Sequence, residues 1–305
     1  MTGSTGFIGQ SMLKYLQGQG YKVDTLNRAN SKDNIASGEK NLLWKELGQV
    51  DLSQYSAVIH LAGKAHDTKH LSDQREYDEV NYELSKLIFD SWNASDSESI
   101  IFMSSILAVK DHGNRKLTEE AEGMPDSHYG ISKRKAEGYI KAKLPANRNV
   151  FILRPALVYG TGVKGNLEKL LSAIERRIPL PLGAINAKRS YLYIENLNQI
   201  VLRLISTRPP SGIYNLADDE QISLKHLINL LGQLKSRRAL NIHIPKVALS
   251  FLANVGDQLS LPYNSEVHAK LTKELLISND KVKEALNLEK MPFSFYEGLK
   301  SIALK

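Results

Sequence analysis

Apolar and polar positions follow two rhythms along the chain. Ala57-Val58-Ile59-His60-Leu61-Ala62, Ile100-Ile101-Phe102-Met103 and Val150-Phe151-Ile152-Leu153 are short apolar runs, and Tyr21 to Asn27 is a further segment of strand type. Between them, Ser11 to Leu16, Tyr77 to Ser91 and Tyr129 to Lys143 have helix length. Apolar runs without strict alternation predict strands covered on both faces, and intervening helices predict parallel connections. The expected fold class is therefore α/β, with a doubly wound parallel sheet. After Pro155 the rhythm changes. Glycine and proline become dense from Gly160 to Gly183, and helical segments then dominate, broken by the strand-like Ser190 to Ile194 and Gly212 to Leu216. No internal repeat or low-complexity segment is present.

The first helix is preceded by a glycine loop, Thr2-Gly3-Ser4-Thr5-Gly6-Phe7-Ile8-Gly9. Glycines spaced three apart allow a tight turn and a close approach of backbone to a pyrophosphate. Ile8, Met12, Leu13 and Leu16 then share one helical face. A helix starting here points its amides and its positive dipole end at phosphate. Such a loop normally follows a strand, yet only Met1 precedes Thr2. The first strand is expected in the middle of the sheet, and without it neighbouring strands carry unpaired backbone groups at about 1–3 kcal/mol each. The expectation from the sequence is that this strand is missing and that the true start lies about six to ten residues earlier.

Composition narrows the classes. The 305 residues are 42% hydrophobic and 24% charged, which suits a folded soluble domain. No apolar stretch approaches the roughly 20 residues of a membrane span, and the N-terminus lacks the basic and apolar regions of a signal peptide. A cytoplasmic location fits. Absence of cysteine excludes disulfides, thiolate nucleophiles and zinc–thiolate centres, and no metal site is expected. The formal net charge is +7, but Lys and Arg are dispersed apart from Lys133-Arg134-Lys135. The excess therefore reads as a match to an anionic diphosphate ligand and not to nucleic acid.

Tyr129 and Lys133 have the spacing that puts two side chains on one helical face. A nearby ammonium stabilises a phenolate and lowers the tyrosine pKa toward working pH. Three other pairs share the spacing, Tyr82/Lys86, Tyr139/Lys143 and Tyr296/Lys300, and read as solvated helix faces. Position favours Tyr129. It opens the helix 24 residues beyond Ser105, and Ser104-Ser105 end a strand whose C-terminal edge is where such sheets place ligands. Ser105 is the expected hydroxyl partner, with Ser104 as its alternative.

In order, the glycine loop, Val58-Ile59-His60-Leu61-Ala62-Gly63, Ser104-Ser105, Tyr129-Gly130-Ile131-Ser132-Lys133 and Arg154-Pro155-Ala156-Leu157-Val158-Tyr159-Gly160 resemble the extended short-chain dehydrogenase/reductase superfamily, in its NAD-dependent epimerase/dehydratase branch. Gly162-Val163-Lys164-Gly165-Asn166, Pro179-Leu180-Pro181-Leu182-Gly183 and Lys188-Arg189-Ser190 are similar to bacterial UDP-sugar 4-epimerases and 4-ketoreductases of surface-polysaccharide synthesis. The resemblance implies a Rossmann-like dinucleotide-binding domain over 1–158 with a return segment about 188–215. It implies a substrate-binding region over 159–187 and 216–305. Ser105, Tyr129 and Lys133 would be catalytic. Gly3, Gly6, Phe7, Ile8, Gly9, Leu61, Ala62, Gly63, Asn81, Pro155 and Val158, with Tyr129 and Lys133, would line the cofactor. Asn166 and Arg189, with Ser105, would hold the UDP-sugar, and Lys270 sits where the family can place another phosphate ligand.

Two departures matter. No Gly-Asp-Leu follows the third strand region, leaving Asp51-Leu52 as the nearest candidate for an adenine contact. Ile106 and Leu107 stand where related dehydratases carry an acidic pair, which argues against dehydration. The second strand ends at Asn27-Arg28 with no carboxylate for a ribose 2′-hydroxyl, so Arg28 favours NADP over NAD. The expected reaction is C4 epimerisation by transient oxidation. An NADPH-dependent 4-keto-sugar reductase uses the same residues, and a non-catalytic cofactor-binding protein is a third reading. A homodimer fits the superfamily.

Overall fold

The computed structural model describes residues 1–28, 40–65, 73–110, 115–162, 166–237, 239–259 and 263–303. The side chains of Asn166, Lys246, Glu266 and Lys270 lie outside the described set. In chain order the first part runs α1 (Phe7–Gly18), β1 (Thr25–Asn27), β2 (Asn41–Leu43), β3 (Ala57–His60), α2 (Gln74–Asp78), α3 (Leu84–Asn93), β4 (Ser99–Met103), α4 (His128–Ala142) and β5 (Asn149–Pro155). Then come β6 (Leu157–Tyr159), α5 (Asn166–Glu175), β7 (Lys188–Tyr193), α6 (Ile194–Thr207), β8 (Gly212–Leu216), β9 (Gln221–Ser223), α7 (Leu224–Leu234), α8 (Lys246–Gln258), α9 (Ser265–Thr272), α10 (Asp280–Ala285) and α11 (Phe295–Ala303).

β3, β4, β5 and β8 pair in that order, all parallel, with Ile59 beside Ile101, Ile101 beside Phe151 and Leu153 beside Tyr214. β1 and β2 form a parallel pair of their own. The two groups meet through Thr2, which bridges Leu26 on one side and His60 on the other. Thr2 donates its amide to the Ile59 carbonyl at 2.9 Å, and Leu26 donates to the Met1 carbonyl at 2.9 Å. The gap expected at the centre of the sheet is thus spanned by these bridges, while no strand precedes α1 among the described residues.

Successive side chains of β4 enter different cores, as a two-residue period requires. Ile101 joins Met12, Leu16, Phe151, Leu153 and Tyr214, whereas Ile100 and Phe102 join Ile88, Phe89, Trp92, Ile140 and Ile152. α1 and α6 cover one face, and α3 and α4 the other. Burial on both sides explains why these strands read as unbroken apolar runs. A smaller sheet holds β6 parallel to β7 and β7 antiparallel to β9.

Two expected elements change shape. Only Thr25–Asn27 of the run from Tyr21 is strand. Tyr21 still donates its amide to the Leu16 carbonyl at 3.0 Å and lies 41% exposed, so this part of the run is the exit from α1. The helix expected over Tyr77 to Ser91 is divided by a π turn at Glu79–Glu83, which widens the backbone at Asn81. Single π turns inside helices often serve functional sites. Among the described residues no helix is long and apolar enough to cross a membrane.

Candidate active site and dinucleotide cradle

The glycine loop leaves the sheet centre at Thr2 and enters α1. Gly3 has a positive φ of 71°, and a β-carbon there would lie 2.6 Å from the Ala62 amide nitrogen. Glycine is therefore required both for the turn and for the approach of the β3 exit. Thr2 completes that junction: its Oγ1 accepts from the Ala62 amide at 3.1 Å and hydrogen-bonds His60 Nδ1 at 2.7 Å. α1 starts after Gly6 with no side-chain cap and no acidic residue in its first turn. Its leading amides and dipole thus favour an anion. Phe7 and Ile8 are half-buried in that turn, and Gly9 is buried beneath them. The chemistry of this cradle fits a dinucleotide diphosphate.

Leu61, Ala62 and Gly63 continue from β3. Gly63 is exposed, and a β-carbon there would stand 3.0 Å from Asn81 Oδ1 and 3.1 Å from Lys133 Nζ. Three predicted residues distant in sequence thus converge. Asn81 is fully buried and its carboxamide is occupied. Its Oδ1 accepts from the Lys64 amide at 2.7 Å, and its Nδ2 donates to the Lys64 carbonyl and to Ser132 Oγ, both at 3.0 Å. It braces the loop against α4 from the π turn.

Ser105 lies just beyond β4 and caps a short 3-10 turn, accepting from the Leu107 amide at 3.2 Å. α4 packs tightly on that turn. A β-carbon at Gly130 would lie 2.3 Å from the Leu107 carbonyl oxygen, so the closeness depends on glycine. Tyr129 is thereby brought to Ser105, whose hydroxyl hydrogen-bonds the phenol. Ser104 faces elsewhere and donates to Glu137 Oε1 at 2.5 Å. Its hydroxyl is thus occupied by a carboxylate, whereas that of Ser105 meets Tyr129.

Burial dominates the electrostatics of the pair. Burial pushes the Tyr129 phenol up to about 12, only partly offset by Ser105. Lys133 is itself buried, which pulls its ammonium down to about 8 against the opposing pull of Glu137, and its Nζ donates to the Met103 carbonyl at 2.8 Å. One of the three ammonium donors of Lys133 is thus engaged by the strand end, and burial keeps the Tyr129 phenol high. His60, beneath this cluster, is pushed down to about 3 by burial and then by Lys133. It stays neutral between Thr2 and Ser85. Sequence reading missed His60, Ser132 and Glu137, since an isolated polar residue carries no signal of its burial.

The other predicted residues are more dispersed. Pro155 is buried at the end of β5 and Val158 half-buried in β6. Arg189 lies half-buried on β7, bridged to Leu275 and donating to the Lys273 carbonyl at 3.4 Å. Asn166 begins α5, and Lys270 lies in α9, with both side chains outside the described set. Arg28 is exposed at the end of β1, whereas Asn27 turns inward to Ser4 and Asn41. Asp51 caps the 3-10 turn at Leu52–Gln54. Tyr139 and Lys143 are not a bare solvated face: the phenol packs edge-on against Tyr82 at 6.2 Å and donates to Asp90, which Lys143 also meets. No cluster of three metal-ligating side chains occurs among the described residues.

Comparison with known proteins identifies the family. The model of the NAD dependent epimerase/dehydratase family matches residues 1–217. The chain is 28% identical to a UDP-glucose 4-epimerase of Vibrio cholerae, over 99% of this chain and 93% of that protein. It is 25% identical to a dTDP-4-dehydro-6-deoxyglucose reductase of Escherichia coli, over 78% of this chain and 82% of that protein. The human epimerase family protein SDR39U1, solved with NADPH, shares its fold with a TM-score of 0.79 at 18% identity, over 100% of this chain and 98% of that one. The chain belongs to the NAD dependent epimerase/dehydratase family.

Proposed function

We propose that this member of the NAD dependent epimerase/dehydratase family epimerises a UDP-sugar at C4 by transient oxidation, in the synthesis of surface polysaccharide. The observation that carries the reading is the convergence of Ser105, Tyr129 and Lys133 beside the uncapped start of α1 and the Gly63 loop. A nicotinamide dinucleotide supplies hydride exchange at the sugar carbon when bound. The glycine loop holds its diphosphate, Ala62 and Gly63 flank it, and Pro155 and Val158 close the nicotinamide side. Ser105 orients the sugar oxygen, and Tyr129 exchanges a proton with it, a contribution of about 10²–10⁴-fold. Asn166 and Arg189 hold the UDP diphosphate, for which an arginine fork is suited. Arg28, with no carboxylate at the end of β1, favours NADP.

A second reading, 4-keto-sugar reduction, is favoured by one feature. Burial pushes the Tyr129 phenol up to about 12, and a phenol that keeps its proton near neutral pH is what reduction needs as a donor. The Escherichia coli relative named above has that type of activity in its name. Purified protein incubated with UDP-glucose, and separately with a nucleotide-linked 4-keto sugar plus NADPH, distinguishes the two. Epimerised product without NADPH consumption supports the first, and stoichiometric NADPH loss replaces it with the second. Tyr129→Phe is expected to lower turnover by about a thousandfold while NADPH still binds, measured by its fluorescence. Turnover retained in that variant overturns both.

A further inference from the structure

Beneath the candidate active site lies a buried charged cluster that the proposed chemistry does not use. Arg154 on β5, Glu137 on α4 and Ser104 at the end of β4 are 5%, 3% and 2% exposed. Arg154 grips Glu137 with two parallel bonds, Nε to Oε1 at 2.9 Å and Nη2 to Oε2 at 2.6 Å. Ser104 donates to the same Oε1 at 2.5 Å. The flanking residues matter most. Met103, on one side of Ser104, offers the carbonyl that holds Lys133. Ser105, on the other, offers the hydroxyl that meets Tyr129.

We propose that Glu137 is a positioning residue that fixes the end of β4 against α4, and so sets both Ser105 and Lys133 for reaction. This rests on the reading of Ser105, Tyr129 and Lys133 as the reacting groups. Glu137 follows Lys133 by one helical turn, so all three α4 side chains, Tyr129, Lys133 and Glu137, are indexed by one helix. A bidentate arginine restricts the carboxylate to one plane, and the serine then has one acceptor position. A charged pair so deep is a poor device for stability alone, because apolar replacement is often neutral or better. Its place between three strand-end residues gives it a second use.

The carboxylate also acts on Lys133 by charge. Burial draws the Lys133 proton off, and Glu137 is the group that opposes it. Among the described residues, the other titratable or charged groups around this part of the site include His60 from β3, which is neutral, Arg154 from β5, Tyr77 from α2 beside Tyr129, and Lys64, whose ammonium lies 5.3 Å from the Tyr77 ring centre. Without Glu137, Lys133 loses the charge that opposes the effect of its burial.

The test uses the full chain labelled with 13C-lysine, with the Lys133 signal assigned by its loss in Lys133→Met. In the wild type its midpoint is expected near pH 8. Glu137→Gln keeps size and hydrogen-bonding capacity but not charge, and is expected to move that midpoint down by about one unit or more. Where a substrate is turned over, kcat falls by about a hundredfold with KM little changed. Glu137→Asp restores the charge and returns the midpoint toward the wild-type value, and it serves as the test if the glutamine variant fails to fold. An unmoved Lys133 midpoint in a folded Glu137→Gln protein, or unaltered kcat, overturns the proposal. A moved midpoint together with full turnover in Tyr129→Phe and Lys133→Met overturns instead the reading of the active site.

Discussion

Glu137, beneath the candidate active site, and Asp218, beyond the end of β8, are each 3% exposed, yet they are held by different means. Glu137 has a guanidinium clamped to it by Arg154. Asp218 has neutral donors: the Tyr193 amide at 3.0 Å, Asn196 Nδ2 at 2.8 Å and the Tyr159 hydroxyl at 3.0 Å. Around it stand Tyr159, Tyr191, Tyr193 and Phe295, with ring centres as close as 5.0 Å. Those donors offset burial incompletely, and Asp218 is pushed up to about 7. The first arrangement sets a carboxylate and its guanidinium one helical turn from Lys133, whose proton Glu137 helps to hold. The second joins β6, β7, α6 and the segment leading into α11 by hydrogen bonds. A buried carboxylate with a cation is tied to its site, whereas one among neutral donors serves as a joint whose proton is negotiable.

The largest expected effect comes from removing the cation. Arg154→Met leaves Glu137 buried and unpaired, and chemical denaturation should show a loss of about 3–5 kcal/mol. A loss under 1 kcal/mol would mean that the two carboxylates are held alike. Next comes the proton at Asp218. Its folded pKa is raised, so its contribution is present at low pH and is lost as pH rises from about 4 through about 7. His60 has the opposite sign. Its folded pKa is depressed to about 3, so its contribution is present above about 6.5 and is lost as pH falls. The two slopes oppose each other between about pH 4 and 6.5. Asp218→Asn removes one of them, so its stability relative to wild type should grow with pH by about 1.4 kcal/mol per unit across that window. Parallel pH profiles of the two proteins would refute the assignment. The smallest effect is expected where a lysine follows a tyrosine on the outer face of α4. Lys143→Ala should leave turnover unchanged, in contrast to any change at Lys133 on the inner face.

Much of this was legible from residue patterns. The runs at Ile100 and Val150 became parallel strands because continuous apolar sequence of that length suits burial on both faces. The glycine loop and the Tyr129–Lys133 spacing were legible because both depend on neighbours within one turn or loop. The register of Ser104 and Ser105 was not legible. Two adjacent serines differ only in which side of the chain they leave, and the pleat at the end of β4 selects. Neither was the bond from Lys133 to the Met103 carbonyl, because that acceptor lies 30 residues away in the chain.

The sequence by itself determined the α/β class, the sheet's apolar strands, the glycine loop and the Tyr129–Lys133 spacing. These are properties of period, spacing and residue type, which are local. Only the tertiary structure decided the protonation of Tyr129, the neutrality of His60, the bracing role of Asn81 from a π turn, and the clasp of Ser104 and Glu137 by Arg154. Each of these depends on how deeply a polar group is buried and on which distant donor reaches it. Burial and partner choice come from packing one strand end against one helix, and no local pattern encodes them.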